Sequence, residues 1–312
     1  MALQSIPEVI LSSGNAKAMP VLGLGTGGLP FVTPEAVVKA VLEAIEVGYR
    51  MFDTAFLYQT EEALGEAISQ AISLGLIKSR DELFITSKIW CTDNHGDRVL
   101  PALRKTLQTL KLEYLDQYLI HFPVSIKAEA NPFEPKPEDV VPMDFKSVWT
   151  AMEECQTLGL AKSIGVSNFS CKKLADILAF AKIPPAVNQV EMNPAWQQRK
   201  LKEFCEAKGI MIAAYSPLGA AGAVWGTKGV LGSEVLIEIA KSKGKSQGII
   251  IVTKSFNKER LKQNREIFDW ELSAEECKKI AEIPQRRANL AQFLVSETGH
   301  IKSVEDLWDG EL

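Results

Sequence analysis

The chain has few of the residues that build metal centres and oxidised scaffolds. Its 312 residues include three histidines and five cysteines. The cysteines (Cys91, Cys155, Cys171, Cys205 and Cys277) are scattered, odd in number and free of any C-x-x-C pair. That spacing argues against a disulfide framework and against a zinc knuckle, and it fits a reducing compartment. No metal site is expected. No apolar run approaches the roughly 20 residues that a membrane-spanning helix needs. No basic block stands out, and 35 Lys and Arg against 39 Asp and Glu leave a net charge of −4. This balance argues against nucleic acid as a partner. The opening "MALQSIPEVI" has no charged leader followed by an apolar core, so no secretory signal is read there and a cytoplasmic protein is expected.

What is present is a regular alternation. Hydrophobic residues make up 46% and charged residues 24% of the chain, enough for a substantial core. Short apolar runs fall at 20–26, 49–55, 83–90, 114–122, 161–169, 186–192, 210–218 and 249–254, eight in all. Between them lie amphipathic stretches with 3.6-residue spacing, such as "AVVKAVLEAIEVG", "EEALGEAISQAIS", "FKSVWTAMEECQTLG" and "CKKLADILAFAK". Eight β-α units over this length predict an α/β fold, a (β/α)8 TIM barrel, as one domain over 1–312. An open doubly wound sheet is the alternative, but "GLGTGG" lacks the full dinucleotide-binding spacing. The segment "EVILSSGNAKAMP" predicts an N-terminal β-hairpin. Residues 123–143, rich in Pro and charge, read as a long irregular loop after strand four and as a wall for substrate.

Barrel chemistry sits where strands end and loops begin. Strand two ends in Asp53, with Tyr58 five residues on. Lys88 lies in "ITSKIW", His121 in "LIHFP", Ser167 and Asn168 end strand five, and Gln189 lies in strand six. Strand seven runs into Tyr215 and Ser216, and strand eight into Lys254 and Ser255. Each has a plain structural alternative. Lys88 can snorkel to water, His121 can be a hydrogen-bonded core residue, Asp53 can cap a helix, Tyr58 can be a rim aromatic, and Asn168 and Gln189 can satisfy backbone groups. Their joint placement at one end of successive strands favours convergence. A buried Asp and Lys neutralise each other and keep the lysine cationic. A cation beside a phenol is expected to lower the phenol's pKa and make Tyr58 a general acid for a carbonyl accepting hydride. Hydride requires a cofactor, because no side chain supplies it. "TKSFNKERLKQN" combines Lys254, Arg260, Ser255 and Asn257 with a helix start, a phosphate-binding arrangement. Its extra cationic pair favours a 2′-phosphate, hence NADPH. The alternative there is a solvated, charged helix start.

Taken in order, "GYRMFDTAFLYQTEEALGEAI", "LFITSKIW", "YLDQYLIHFP", "SIGVSNFS", "NQVEMNPAWQQRKL" and "YSPLGA" resemble the aldo-keto reductase family over nearly the whole chain, and its plant NADPH-dependent reductases most closely. The resemblance implies Tyr58 as proton donor, Lys88 paired to Asp53 behind it, and His121 positioning the carbonyl. It implies Ser167, Asn168 and Gln189 around the nicotinamide carboxamide, with the ring stacked on Tyr215. Gly25, Thr26, Asp53, Ser216 and Leu218 join the cofactor set on the same ground. Lys254, Ser255, Phe256, Asn257 and Arg260 would hold the 2′-phosphate end, and Asn264 with Gln263 the adenine, Gln263 standing where the family usually has Glu. Leu57, Trp90, His121, Phe122 and Trp225 would line a pocket for a bulky, apolar carbonyl substrate. A monomer is expected.

Three departures stand out. Met51 and Phe122 replace residues that are usually His, and Trp or His, in relatives. The family also has two helices between strands seven and eight. "SEVLIEIAKSKG" matches the first, while "GKSQG" runs straight into "IIIVTK" with no room for the second. Besides an active NADPH-dependent carbonyl reductase, two alternatives follow: a truncated relative with weak cofactor binding or no chemistry, and a cofactor-sensing binding subunit.

Overall fold

A computed structural model describes residues 5–13, 17–28, 31–220, 223, 226, 229–242, 250–253, 255–268 and 270–312. Eight parallel strands close into a barrel: β1 (Leu22–Gly25), β2 (Met51–Asp53), β3 (Phe84–Ile89), β4 (Leu115–Ile120), β5 (Ala161–Ser167), β6 (Val187–Glu191), β7 (Met211–Tyr215) and β8 (Ile250–Thr253). Neighbours in sequence are neighbours in space, and β8 closes the ring onto β1 through Val252 opposite Gly23. Parallel strands need both faces covered, which is why β3, β4 and β6 are buried at every position, their polar residues included.

The helices form because each places an apolar stripe on this ring. α1 (Pro34–Glu46) starts at Thr33, whose hydroxyl accepts from Ala36 N, with Pro34 preset for the first turn. Its buried residues, Val37, Ala40, Val41, Ala44 and Ile45, lie on one face. It stops at Gly48, whose φ of 93° is left-handed and open to glycine without strain. α2 (Glu61–Ser73) and α3 (Val99–Leu110) meet so closely at Gly65 that an added Cβ would lie 2.3 Å from the Leu110 carbonyl oxygen. α4 (Phe145–Thr157), α5 (Cys171–Leu178) and α6 (Arg199–Lys208) continue the ring. α8 (Lys258–Arg265), capped by Asn257, packs beside α1.

The hairpin forms as expected. Glu8–Val9 pairs antiparallel with Met19–Pro20. It plugs the amino-terminal end of the barrel, where Met19, Met51, Phe84, Val187 and Ala213 form one buried cluster. Met51 presses its side chain against Gly23, where a Cβ would come within 2.9 Å of its Cγ and Sδ, so its departure from the family is accommodated by packing. The loop after β4 is less irregular than expected, because Ser125–Ile126 pairs antiparallel with Val140–Val141.

Between β7 and β8 the described helix is α7 (Glu234–Ser242). It packs against α9 (Ala274–Ala281), with Lys279 Nζ 3.1 Å from Glu238 Oε1, and Ile239 is buried. The junction 243–249 lies outside the described residues. Those seven positions are fewer than the roughly 11 that three helical turns take.

Candidate active site

Strand β2 delivers Asp53 to the barrel mouth. The chain then passes through Ala55 into a single 3-10 turn, Phe56–Tyr58, which swings the phenol back over the strand ends. The next residue, Gln59, is left-handed at φ 56°, and Thr60 ties the turn down by sharing its hydroxyl with Thr26 and Thr54. Lys88 is fully buried. Its Nζ donates to Asp53 Oδ1 (2.5 Å), to the Thr54 carbonyl (2.9 Å) and to Tyr58 Oη (3.4 Å). Asp53 Oδ2 accepts from Gln189 Nε2 at 2.8 Å, so both carboxylate oxygens are satisfied. His121 Nε2 lies 3.3 Å from Tyr58 Oη, and the two rings meet edge to face. Asp53, Tyr58, Lys88 and His121 are thus brought together as the sequence predicted.

Their electrostatics differ from the expectation in one respect. Burial, with the Asp53 charge adding to it, pushes the Tyr58 phenol well above its ordinary value rather than below. Desolvation lowers Lys88 while Asp53 opposes that shift. The lysine charge is already spoken for by Asp53, which is why its effect on the phenol is small. Burial, followed by repulsion from Lys88, holds His121 well below the usual imidazole range. Among the described residues its Nδ1 has no hydrogen-bond partner, so no acceptor on that side stabilises the charged ring.

A second polar group faces this one across the mouth. Ser167 Oγ donates to the Gln189 carbonyl (2.7 Å). Asn168, at φ 65°, donates from Nδ2 to the His121 carbonyl (2.9 Å) and to Ser167 Oγ (3.1 Å). Tyr215 Oη donates to Asn168 Oδ1 at 2.8 Å. All open into a cleft of about 1030 Å³. Gly25, Asp53, Ser167, Asn168, Gln189, Tyr215, Ser216, Leu218, Ser255, Phe256, Arg260 and Asn264 line it, as do Leu57, Tyr58, Trp90, His121 and Phe122. Thr26 stands behind the wall, bonded to the Asp53 carbonyl and Thr60. Asn257 caps α8, its side chain accepting from Arg260 N. Asn257 and Gln263 do not line the cleft. Lys254 and Trp225 lie outside the described residues.

Residues 21–229 match the Aldo/keto reductase family model. The chain belongs to the aldo-keto reductase family. It is 56% identical, over 99% of both chains, to the (1S)-1,7-diacetoxy-luvungin A aldo-keto reductase of Citrus sinensis. It is also 56% identical, over 99% of both chains, to NADPH-dependent codeinone reductase 1-4 of Papaver somniferum. The crystal structure of a Bombyx mori aldo-keto reductase in complex with NADP superposes with a TM-score of 0.81 at 35% identity, covering 91% of this chain and 95% of that one. The Citrus alignment spans 319 positions against 312 residues here, so at least seven of them have no counterpart in this chain. No described helix is long and apolar enough to cross a membrane.

The structure adds residues to this reductase's cleft that sequence reading missed. Gly27 sits under the Tyr58 phenol, where a Cβ would come within 2.9 Å of the ring. The glycine run at the end of β1 was the available signal. Phe133 lines the cleft from the 123–143 loop that was expected to wall the substrate, and Phe31 and the stretch Ala288–Phe293 also line it. The last of these comes from an aperiodic C-terminal loop, where spacing carries no information.

Proposed function

We propose that residues 1–312 act as one domain that reduces an aldehyde or ketone of a small molecule with NADPH, with Tyr58 as proton donor. The observation that carries this reading is a buried Lys88, paired to Asp53 and within hydrogen-bonding reach of a phenol that also meets His121, with Asp53, Tyr58 and His121 lining the cleft. The cleft's polar groups suit the cofactor. Asn168 and Gln189 offer donors and acceptors to a carboxamide, Tyr215 offers a ring face, and Arg260, Ser255 and the start of α8 offer charge and N–H groups to a phosphate. Pairing of β8 on both sides, to β7 and to β1, supports a competent cofactor site despite the short junction before it.

Bound NADPH supplies the hydride. The chain's task is then to hold the carbonyl and deliver a proton. Tyr58 Oη and His121 Nε2 are close enough to reach one substrate oxygen. A phenol held above its ordinary pKa keeps its proton through the physiological range, as a donor must. As that proton leaves, Lys88 stands 3.4 Å from the phenol oxygen to stabilise the developing negative charge. Asp53 in turn holds Lys88 in place.

Trp90 and Phe122 meet edge to face in the inner wall, and Phe31, Phe133, Leu218, Leu290 and Phe293 are exposed around the mouth. Such a collar suits a large apolar substrate whose far end leaves the cavity. Relatives named for a luvungin A derivative and for codeinone support a carbonyl compound of plant specialised metabolism. The test is loss of nicotinamide absorbance when protein and NADPH meet a panel of bulky ketones and aldehydes. Tyr58→Phe should bind NADPH normally and lose turnover by about 10²-fold or more. Undiminished turnover in that variant would remove the mechanism.

A further inference from the structure

The C-terminal loop does more than wall the cleft. Asn289 Nδ2 donates to Tyr215 Oη at 3.0 Å. That hydroxyl, having accepted, directs its own hydrogen to Asn168 Oδ1 at 2.8 Å. Asn168 Nδ2 then donates to the His121 carbonyl and to Ser167 Oγ. One hydrogen-bonded run therefore leads from the loop, through Tyr215, to the backbone of His121. The loop end of that run is fixed by Glu191, at the end of β6 and only 1% exposed. Its carboxylate accepts from Ala288 N and from Asn289 N, the latter at 2.8 Å. Asn289 Oδ1 also accepts from Ala291 N. Asn289 is thus held at backbone and side chain.

We propose that Asn289 is a positioning residue, which sets the amide of Asn168 through the Tyr215 hydroxyl and so couples the substrate-facing loop to the nicotinamide end of the cleft. The physical reason lies in the two faces of an amide. A carboxamide ligand presents both a donor and an acceptor, and Asn168 can match them in one orientation only. With Tyr215 Oη donating to its Oδ1, Asn168 must keep Nδ2 towards His121 and Ser167. Without Asn289 the hydroxyl loses the donor that orients it and its hold on Asn168 Oδ1 slackens, while the His121 carbonyl still keeps Nδ2 on its own side. Leu290 and Phe293 of the same loop line the cleft, so the loop that carries Asn289 also faces substrate.

The inference rests on the reading of Asn168 as a carboxamide ligand, and the test separates the two. NADPH affinity is measured by fluorescence titration on the full chain, beside that of 2′-phospho-ADP-ribose, which lacks the nicotinamide. Asn289→Ala should weaken NADPH roughly two- to tenfold, the worth of one hydrogen bond, and leave the fragment unchanged. Tyr215→Phe keeps the ring and removes the relay, so the double variant should be no weaker than the worse single variant. Equal loss of both ligands, additive effects, or unchanged NADPH affinity in Asn289→Ala would overturn the coupling. If Asn168→Ala weakens NADPH while Asn289→Ala does not, only this inference fails. If Asn168→Ala binds NADPH as the native chain does, the carboxamide reading fails and takes the inference with it.

Discussion

Replacing Lys88 by methionine keeps the volume of a fully buried side chain and removes its charge. Three contacts vanish: those to Asp53, the Thr54 carbonyl and Tyr58. The larger effect is what remains. Asp53 is itself buried, and Gln189 Nε2 is then its surviving side-chain donor. Leaving one member of a buried pair alone costs about 3–5 kcal/mol. An independent ceiling comes from protonation. An unpaired carboxylate can escape by taking up a proton, which costs about 1.4 kcal/mol per pH unit above an ordinary value near 3.9, or about 4 kcal/mol at pH 7. The two figures agree, and at about 2 °C per kcal/mol for a chain of this size they imply a fall in Tm of about 8 °C. The second route also fixes a pH dependence. The deficit should shrink by about 3 kcal/mol between pH 7 and pH 5, because protonation becomes easier as pH falls. Adding Asp53→Asn should recover most of the stability without restoring turnover, since removing both charges leaves no buried charge unpaired. Urea denaturation of the native chain, Lys88→Met and Lys88→Met/Asp53→Asn at both pH values is the assay. A deficit independent of pH, or one that Asp53→Asn fails to relieve, would refute the reasoning.

Arg260→Ala should weaken NADPH about tenfold while NADH binding is unchanged, because the guanidinium faces the end of the cleft assigned to the 2′-phosphate; parallel titrations decide it. His121 is held neutral in the folded state, so below about pH 6.5 the unfolded chain takes up a proton that the folded one refuses, and stability falls as pH falls. Between pH 6.5 and 5 the native chain should lose about 2 kcal/mol more than a His121→Asn variant, measured by urea denaturation at each pH. Gly65→Ala should cost about 1–3 kcal/mol in the same assay, since its Cβ would meet the Leu110 carbonyl at 2.3 Å and a backbone atom cannot step aside.

Much of the cleft is legible in sequence because of how a parallel barrel is built. Each strand's last residues face one common mouth, so an Asp, a Lys, a His, an Asn and a Gln at successive strand ends must converge, and they do. The eight short, largely apolar runs likewise pointed to the barrel, since parallel strands buried on both faces lack the strict alternation of half-exposed ones. Tertiary structure alone decided the rest. The direction of the Tyr58 shift depends on how deeply the phenol is buried and on Lys88 being already paired, and both are distances, not patterns. That α7 settles on α9, with Lys279 beside Glu238, is a tertiary contact that no spacing announces. The place of Asn289 is the clearest case. It is 74 residues from Tyr215 and 121 from Asn168, in a loop with no periodicity, and only the closed barrel with Glu191 at its rim brings the three together.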